Sequence, residues 1–118
     1  MREIEFRGYS KCNNTWYYGL LGKFDNKYYI ECEGGAKPFV EADSIGQYTG
    51  FKDKNGKKIY EWDVLHWDTD YYGWADMIEG VWEIVPETIS PNDYVLSAYA
   101  SKCEIIGNIY EEELKEGK

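Results

Sequence analysis

The feature that most constrains this chain is the recurrence of short, alternating apolar and polar segments separated by Gly, Asn and Asp turn signals, the pattern of an all-β domain rather than of alternating strands and helices. Ile4 and Phe6 alternate with Glu3, Glu5 and Arg7 before Gly8, which predicts a first strand with one polar face. Segments 15–24 and 27–33 flank Asp25-Asn26, a pair suited to a tight hairpin turn. Gly34-Gly35 and Pro38 then break the sheet, and residues 42–46 read as one helical turn ended by glycine. Asn55-Gly56 is the strongest turn signal, since this pair supplies the positive φ angles of a hairpin, and Ile59-Tyr60 resume the sheet after it. Asp63–Trp67 and Met77–Val85 read as long apolar strands joined across Asp68–Gly73, with Pro86 closing the second. Residues 94–99 and Cys103–Tyr110 complete the strands, and residues 111–118 form either a frayed helical turn or an acidic tail. No internal repeat or linker interrupts this order, so residues 1–110 are expected to form a single domain.

A chain of 118 residues with 12 Tyr and 5 Trp is long and apolar enough to bury a core without staples. The charged start Met1-Arg-Glu-Ile-Glu-Phe-Arg7 is unlike a secretory signal, and no apolar run reaches membrane-spanning length, so a cytoplasmic protein without a membrane partner is expected. Cys12, Cys32 and Cys103 are odd in number and lack a C-x-x-C spacing, which fits reduced thiols rather than a disulfide framework or zinc site. A net charge of -9 repels nucleic-acid phosphates, so no direct nucleic-acid binding is expected. The charge is segregated: residues 1–60 hold 10 Lys and Arg against 8 Asp and Glu, while residues 61–118 hold 3 against 14.

Several blocks carry a resemblance. Met1-Arg-Glu-Ile-Glu-Phe-Arg7, Gly46-Gln-Tyr-Thr-Gly50 running into Lys52-Asp-Lys-Asn-Gly-Lys57, Ile59-Tyr-Glu61, Asp63-Val64 and Ile106-Gly-Asn-Ile-Tyr110 together resemble the YopX family of phage and prophage proteins. The resemblance implies a small, strongly bent β-sheet with one or two short helical turns, its later part an SH3-like, partly open barrel, in a phage-encoded protein. It implies no catalytic activity. Trp62 stands where members of the family more often have glycine, in the turn entering a strand, and implies a local contact surface there. Gly46, Gly50, Gly56 and Gly107 fall at turns or bends, and Tyr48, Ile59, Tyr60, Val64, Ile106 and Ile109 are of core type.

Chemistry-bearing patterns are sparse. Asp68, Asp70, Gly73, Asp76 and Glu79 nearly match a calcium loop, but Tyr72 takes a carboxylate position and the flanks read as strands, where an EF-hand needs helices. An acidic hairpin loop is the better reading, and no metal or cofactor is expected. His66, the only histidine, has no neighbouring serine or cysteine in sequence, and Cys103 opens an apolar strand, as a buried thiol does. Tyr60, Trp62, Trp67, Tyr71, Tyr72, Trp74 and Trp82 crowd one acidic window, with Trp67 and Trp82 expected in the core and Tyr71, Tyr72 and Trp74 exposed at the loop.

The pattern therefore points to a non-catalytic interaction module that binds an unidentified host or phage protein through Tyr71, Tyr72, Trp74, Trp62, Asp68 and Asp70. A variant of this reading is an acidic decoy whose second half imitates DNA phosphate charge before a DNA-handling protein. Lys52, Lys54, Lys57 and Lys58 offer a basic segment that can pair with the acidic half of a second copy in a homo-oligomer. The alternative from another class is a small hydrolase or metal-dependent enzyme centred on Glu61, Asp63 and His66.

Overall fold

A computed structural model of the chain describes residues 3–68, 71–86 and 94–115. The fold is all-β, with two antiparallel sheets and a few short helices, and neither sheet closes into a barrel among the described residues. The internal contacts fall into two compact units, Met1–Tyr48 and Thr49–Lys118.

The first unit grows from its hairpin. Asp25 and Asn26 both adopt left-handed φ, 51° and 63°, the two consecutive positive angles of a type I′ turn. They join β2 (Thr15–Phe24) to β3 (Lys27–Glu31), as the sequence predicts. The first half of β2 pairs with β1 (Phe6–Ser10), and β4 (Phe39–Val40) extends the other side by pairing with β3. A strand β5 (Gly46–Lys52) starts here beside β1 and runs into the second unit. Gly22 leaves room for the Tyr29 ring of its cross-strand partner, which lies across it 2.2 Å from where a Cβ would stand and would have to swing aside for a larger residue. The expected helical turn is a 3-10 turn at Ala42–Ser44. Buried Ser44 is satisfied on both sides: its Oγ donates to the Glu41 carbonyl (2.6 Å) and accepts the Tyr9 N–H (2.8 Å).

In the second unit the far half of β5 pairs with β6 (Lys58–Tyr60), and a five-stranded sheet follows in the spatial order Tyr94–Val95, Val81–Pro86, Tyr71–Ile78, Asp63–Trp67 and Glu104–Asn108. Its strands are β7 (Asp63–Trp67), β8 (Tyr71–Ile78), β9 (Val81–Pro86), β10 (Tyr94–Val95) and β11 (Glu104–Asn108), every pair antiparallel. Leu65, Trp67, Ala75, Trp82 and Ile84 face one side of this sheet, where Leu96 and Ala100 of the following helical segment close over them with Ile59 and Cys103. The core expectation for Trp67 and Trp82 agrees with their exposures of 5% and 7%. Gly73 sits between two strands on this face, where a Cβ would meet the Val85 carbonyl at 2.5 Å.

The structure differs from the sequence expectation at several places, among them Ile106, expected in the core and 53% exposed on β11. Met77–Val85 is a hairpin rather than one strand, because Glu79 and Gly80, with φ of 50° and 84°, make a two-residue turn. Strand β8 therefore begins at Tyr71, and Tyr71, Tyr72 and Trp74 lie on a strand, not a loop. Segment 94–99 is strand for two residues and then turns into α1 (Leu96–Tyr99), since Leu-Ser-Ala-Tyr lacks β-branched side chains. Finally, β11 ends at Asn108 and α2 (Ile109–Lys115) takes over. Asn108 Oδ1 accepts the Glu111 N–H (2.8 Å) and its Nδ2 donates to Glu111 Oε1 (3.0 Å), a reciprocal cap that starts the acidic segment as a helix. At Asn55-Gly56 only Gly56 has left-handed φ, and the Asp53 N–H donates to the Lys57 carbonyl (2.8 Å). The turn is thus a three-residue loop closed by a glycine bulge.

Candidate functional site

The period-2 alternation of β7 sends Asp63, Leu65 and Trp67 to one face and Val64 and His66 to the other. At the end of β7, Trp67 is register partner to Tyr71, and the two rings stack with centroids 5.9 Å apart and planes 18° from parallel. Asp68 turns the chain away with a left-handed φ of 60°. Tyr94 of β10 meets Trp67 edge-on at 5.2 Å, and Tyr99, at the end of α1, meets Tyr94 edge-on at 5.3 Å. The Lys102 ammonium then lies 5.7 Å from the centre of the Tyr99 ring. These six residues line an open cleft of about 440 Å³ within the second unit. Trp67 forms its wall from the core side, Tyr94 and Tyr99 are half-buried, and Tyr71 keeps 47% of its surface exposed. Asp68 and Lys102 are both exposed, so the cleft offers ring faces, phenol groups, one carboxylate and one ammonium.

Tyr71 and Asp68 are thus the sequence-predicted residues that the structure brings to this cleft. Tyr72 and Trp74 alternate to the opposite face of β8, where Tyr72 stacks on His66 with centroids 4.6 Å apart. Trp62 lies in the turn between β6 and β7, half-buried, and Asp70 falls outside the described residues. Tyr94, Tyr99 and Lys102 were missed by the sequence reading. A strand over 94–99 separates the two tyrosines onto opposite faces, whereas the helical turn beginning at Leu96 brings their rings together. The helix-forming run Leu96-Ser-Ala-Tyr-Ala100 was the available signal.

The other candidate groups are committed elsewhere. Buried Asp63 accepts the Tyr60 N–H at 2.7 Å through Oδ2, and it faces away from His66, three residues further along the strand. His66 Nε2 is buried with no hydrogen-bond partner among the described residues. Cys103 is fully buried, its Sγ 3.2 Å from the Tyr99 carbonyl, and burial together with the Asp53 charge pushes its thiol up to about 11. Asp76 and Glu79, expected in the calcium-loop register, lie on β8 and in its turn. No group of three His, Cys, Asp or Glu suited to a metal ion occurs among the described residues. Lys52, Lys54 and Lys57 are exposed around the β5–β6 turn, and the Lys54 ammonium is 3.9 Å from Glu104 of the same chain. No helix among the described residues is long and apolar enough to cross a membrane.

A family model described as YopX protein matches residues 5–114. The chain belongs to the YopX family. The match takes in all six cleft residues of this YopX chain as well as the turn at Trp62. There the YopX resemblance leads one to expect glycine, and Trp62 indeed holds a left-handed φ of 76°. The Trp62 N–H donates to the Ala75 carbonyl (2.9 Å) and its own carbonyl accepts the Ile109 N–H (3.0 Å), so hydrogen bonds on both sides hold a glycine-type turn around an indole side chain. No curated protein matches the chain.

Proposed function

We propose that this chain is a phage-encoded, non-catalytic protein-interaction module whose contact surface is the cleft of Trp67, Tyr71, Tyr94 and Tyr99. The observation that carries this reading is the ring cluster itself. Tyrosine and tryptophan combine large contact area with few rotatable bonds, so an open cleft walled by them gives a partner's side chain an anchoring point at low ordering cost. Asp63 and His66 alternate to opposite faces of β7, and Asp63 is engaged with the Tyr60 N–H, which favours the interaction reading over an enzyme built on that pair.

The test is capture of proteins from phage-infected host cells on the tagged full-length chain. A protein partner should be retained by the wild type and lost on Tyr71→Ala or Tyr94→Ala, while Ile106→Ala, at an exposed position on β11, keeps it. Retention by both cleft variants would overturn the assignment of this surface.

A further inference from the structure

Resting on that reading, we infer that the cleft takes a cationic side chain of the partner, a guanidinium above all, and that Lys102 occupies its place in the free protein. Three observations converge on this. First, the chain already places an ammonium at cation–π distance from a wall of the cleft, 5.7 Å from the centre of Tyr99. Second, Asp68 supplies a carboxylate to the same lining. Third, residues 49–118 hold 7 Lys against 15 Asp and Glu, a field that draws cations and repels phosphate-bearing ligands.

The rings also define the shape of what fits. Tyr71, 47% exposed, lies stacked on buried Trp67 and presents its outer face, whereas Tyr94 stands edge-on to Trp67 and Tyr99 edge-on to Tyr94, so the wall offers both a stacking plane and phenol edges. A planar guanidinium can stack on such a plane and still donate in its own plane to a carboxylate or phenol oxygen. A rounder ammonium satisfies only the first of these demands. In binding, the incoming cation displaces the Lys102 ammonium from Tyr99. No covalent step is involved, and Lys102 is a built-in competitor that lowers the affinity of the free module.

The experiment is a titration of the full-length, isotope-labelled chain with a short arginine peptide and its citrulline counterpart, which keeps the shape and loses the charge, followed by the Trp67 indole and Tyr99 amide signals. Saturable shifts are expected with arginine, at least about tenfold weaker binding with citrulline, and intermediate binding with lysine. Asp68→Asn and Tyr71→Ala should each weaken the arginine peptide, and Lys102→Gln should tighten it by about threefold or more. Equal binding of arginine and citrulline, or shifts produced by a mononucleotide and not by arginine, would overturn the cationic assignment while leaving the protein-interaction reading to the capture experiment. Absence of any shift at the cleft with the arginine peptide overturns it as well. Unchanged affinity in Lys102→Gln removes the competitor role.

Discussion

Asp53 is the residue that organises the β5–β6 turn. Its Oδ1 accepts the N–H groups of Asn55 and Lys57, both at 2.9 Å, and its Oδ2 accepts the Ile105 N–H at 3.1 Å, tying the β5–β6 turn to a strand 52 residues further on. Burial alone would raise its pKa, but the three backbone donors and the Lys57 charge outweigh burial and hold the carboxyl below its ordinary value of 3.8. A depressed folded pKa contributes stability that is present above the unfolded pKa and lost as pH falls through the folded one. Asp53→Asn puts an amide N–H₂ or a single oxygen where two acceptors are required, at a cost of about 1–3 kcal/mol at neutral pH. The gap between wild type and variant should narrow on acidification from pH 5 to below the ordinary carboxyl value. Denaturant midpoints across that range check this, and a gap that stays constant would disprove the role. Trp62 illustrates the opposite relation between residue and backbone. A bulky side chain at left-handed φ costs about 1–2 kcal/mol, and the hydrogen bonds at its N–H and carbonyl show that the surrounding strands impose the turn despite that cost.

Among the elements, α2 shows how a charged segment becomes a helix. Glu111 and Glu112 lie in its first turn, where carboxylates complement the helix dipole, and Asn108 caps the same end. The Asn108-Ile-Tyr-Glu111 spacing was present in the sequence as a capping box, but the apolar Ile109-Tyr110 pair drew the reading of a continued strand. Asn108→Ala should lower stability by about 1 kcal/mol and speed amide exchange in residues 111–113 before it affects β7 or β8. Equal acceleration in the sheet would mean that Asn108 supports the strands rather than the helix start. The hairpins divide by the same logic. Asp25-Asn26 was legible because its turn chemistry is local and familiar, whereas Glu79-Gly80 was not, because a glutamate at left-handed φ gives no composition signal. The turn at Glu79-Gly80 is what lets β8 run from Tyr71 to Ile78 and places Tyr71, Tyr72 and Trp74 on a strand.

For the whole molecule, the decisive question is whether acidity or aromatic contact dominates partner binding. A protein that imitates DNA phosphate charge should lose affinity steeply with salt, by orders of magnitude over about a tenfold rise in ionic strength. A single cation seated against the Tyr71, Tyr94 and Tyr99 rings should lose about tenfold or less over the same range. Measuring the dissociation constant of the captured partner between low and high salt separates these outcomes, and a steep loss would favour the decoy. Legible from the residues alone were the all-β class, the family, the first hairpin, a helical turn within residues 42–46 and the burial of Trp67, Trp82 and Cys103. Each of these follows from apolar alternation, turn residues and motif order, which are properties of neighbouring positions. Only the folded sheet puts Tyr71 with Trp67 while Tyr72 and Trp74 turn to the opposite face with His66. Tertiary structure alone brought Tyr94, Tyr99 and Lys102 to the same cleft and gave Asp53 its third donor from Ile105. Strand register and helix packing set which side chains meet, and a one-residue shift in register exchanges one face of the sheet for the other.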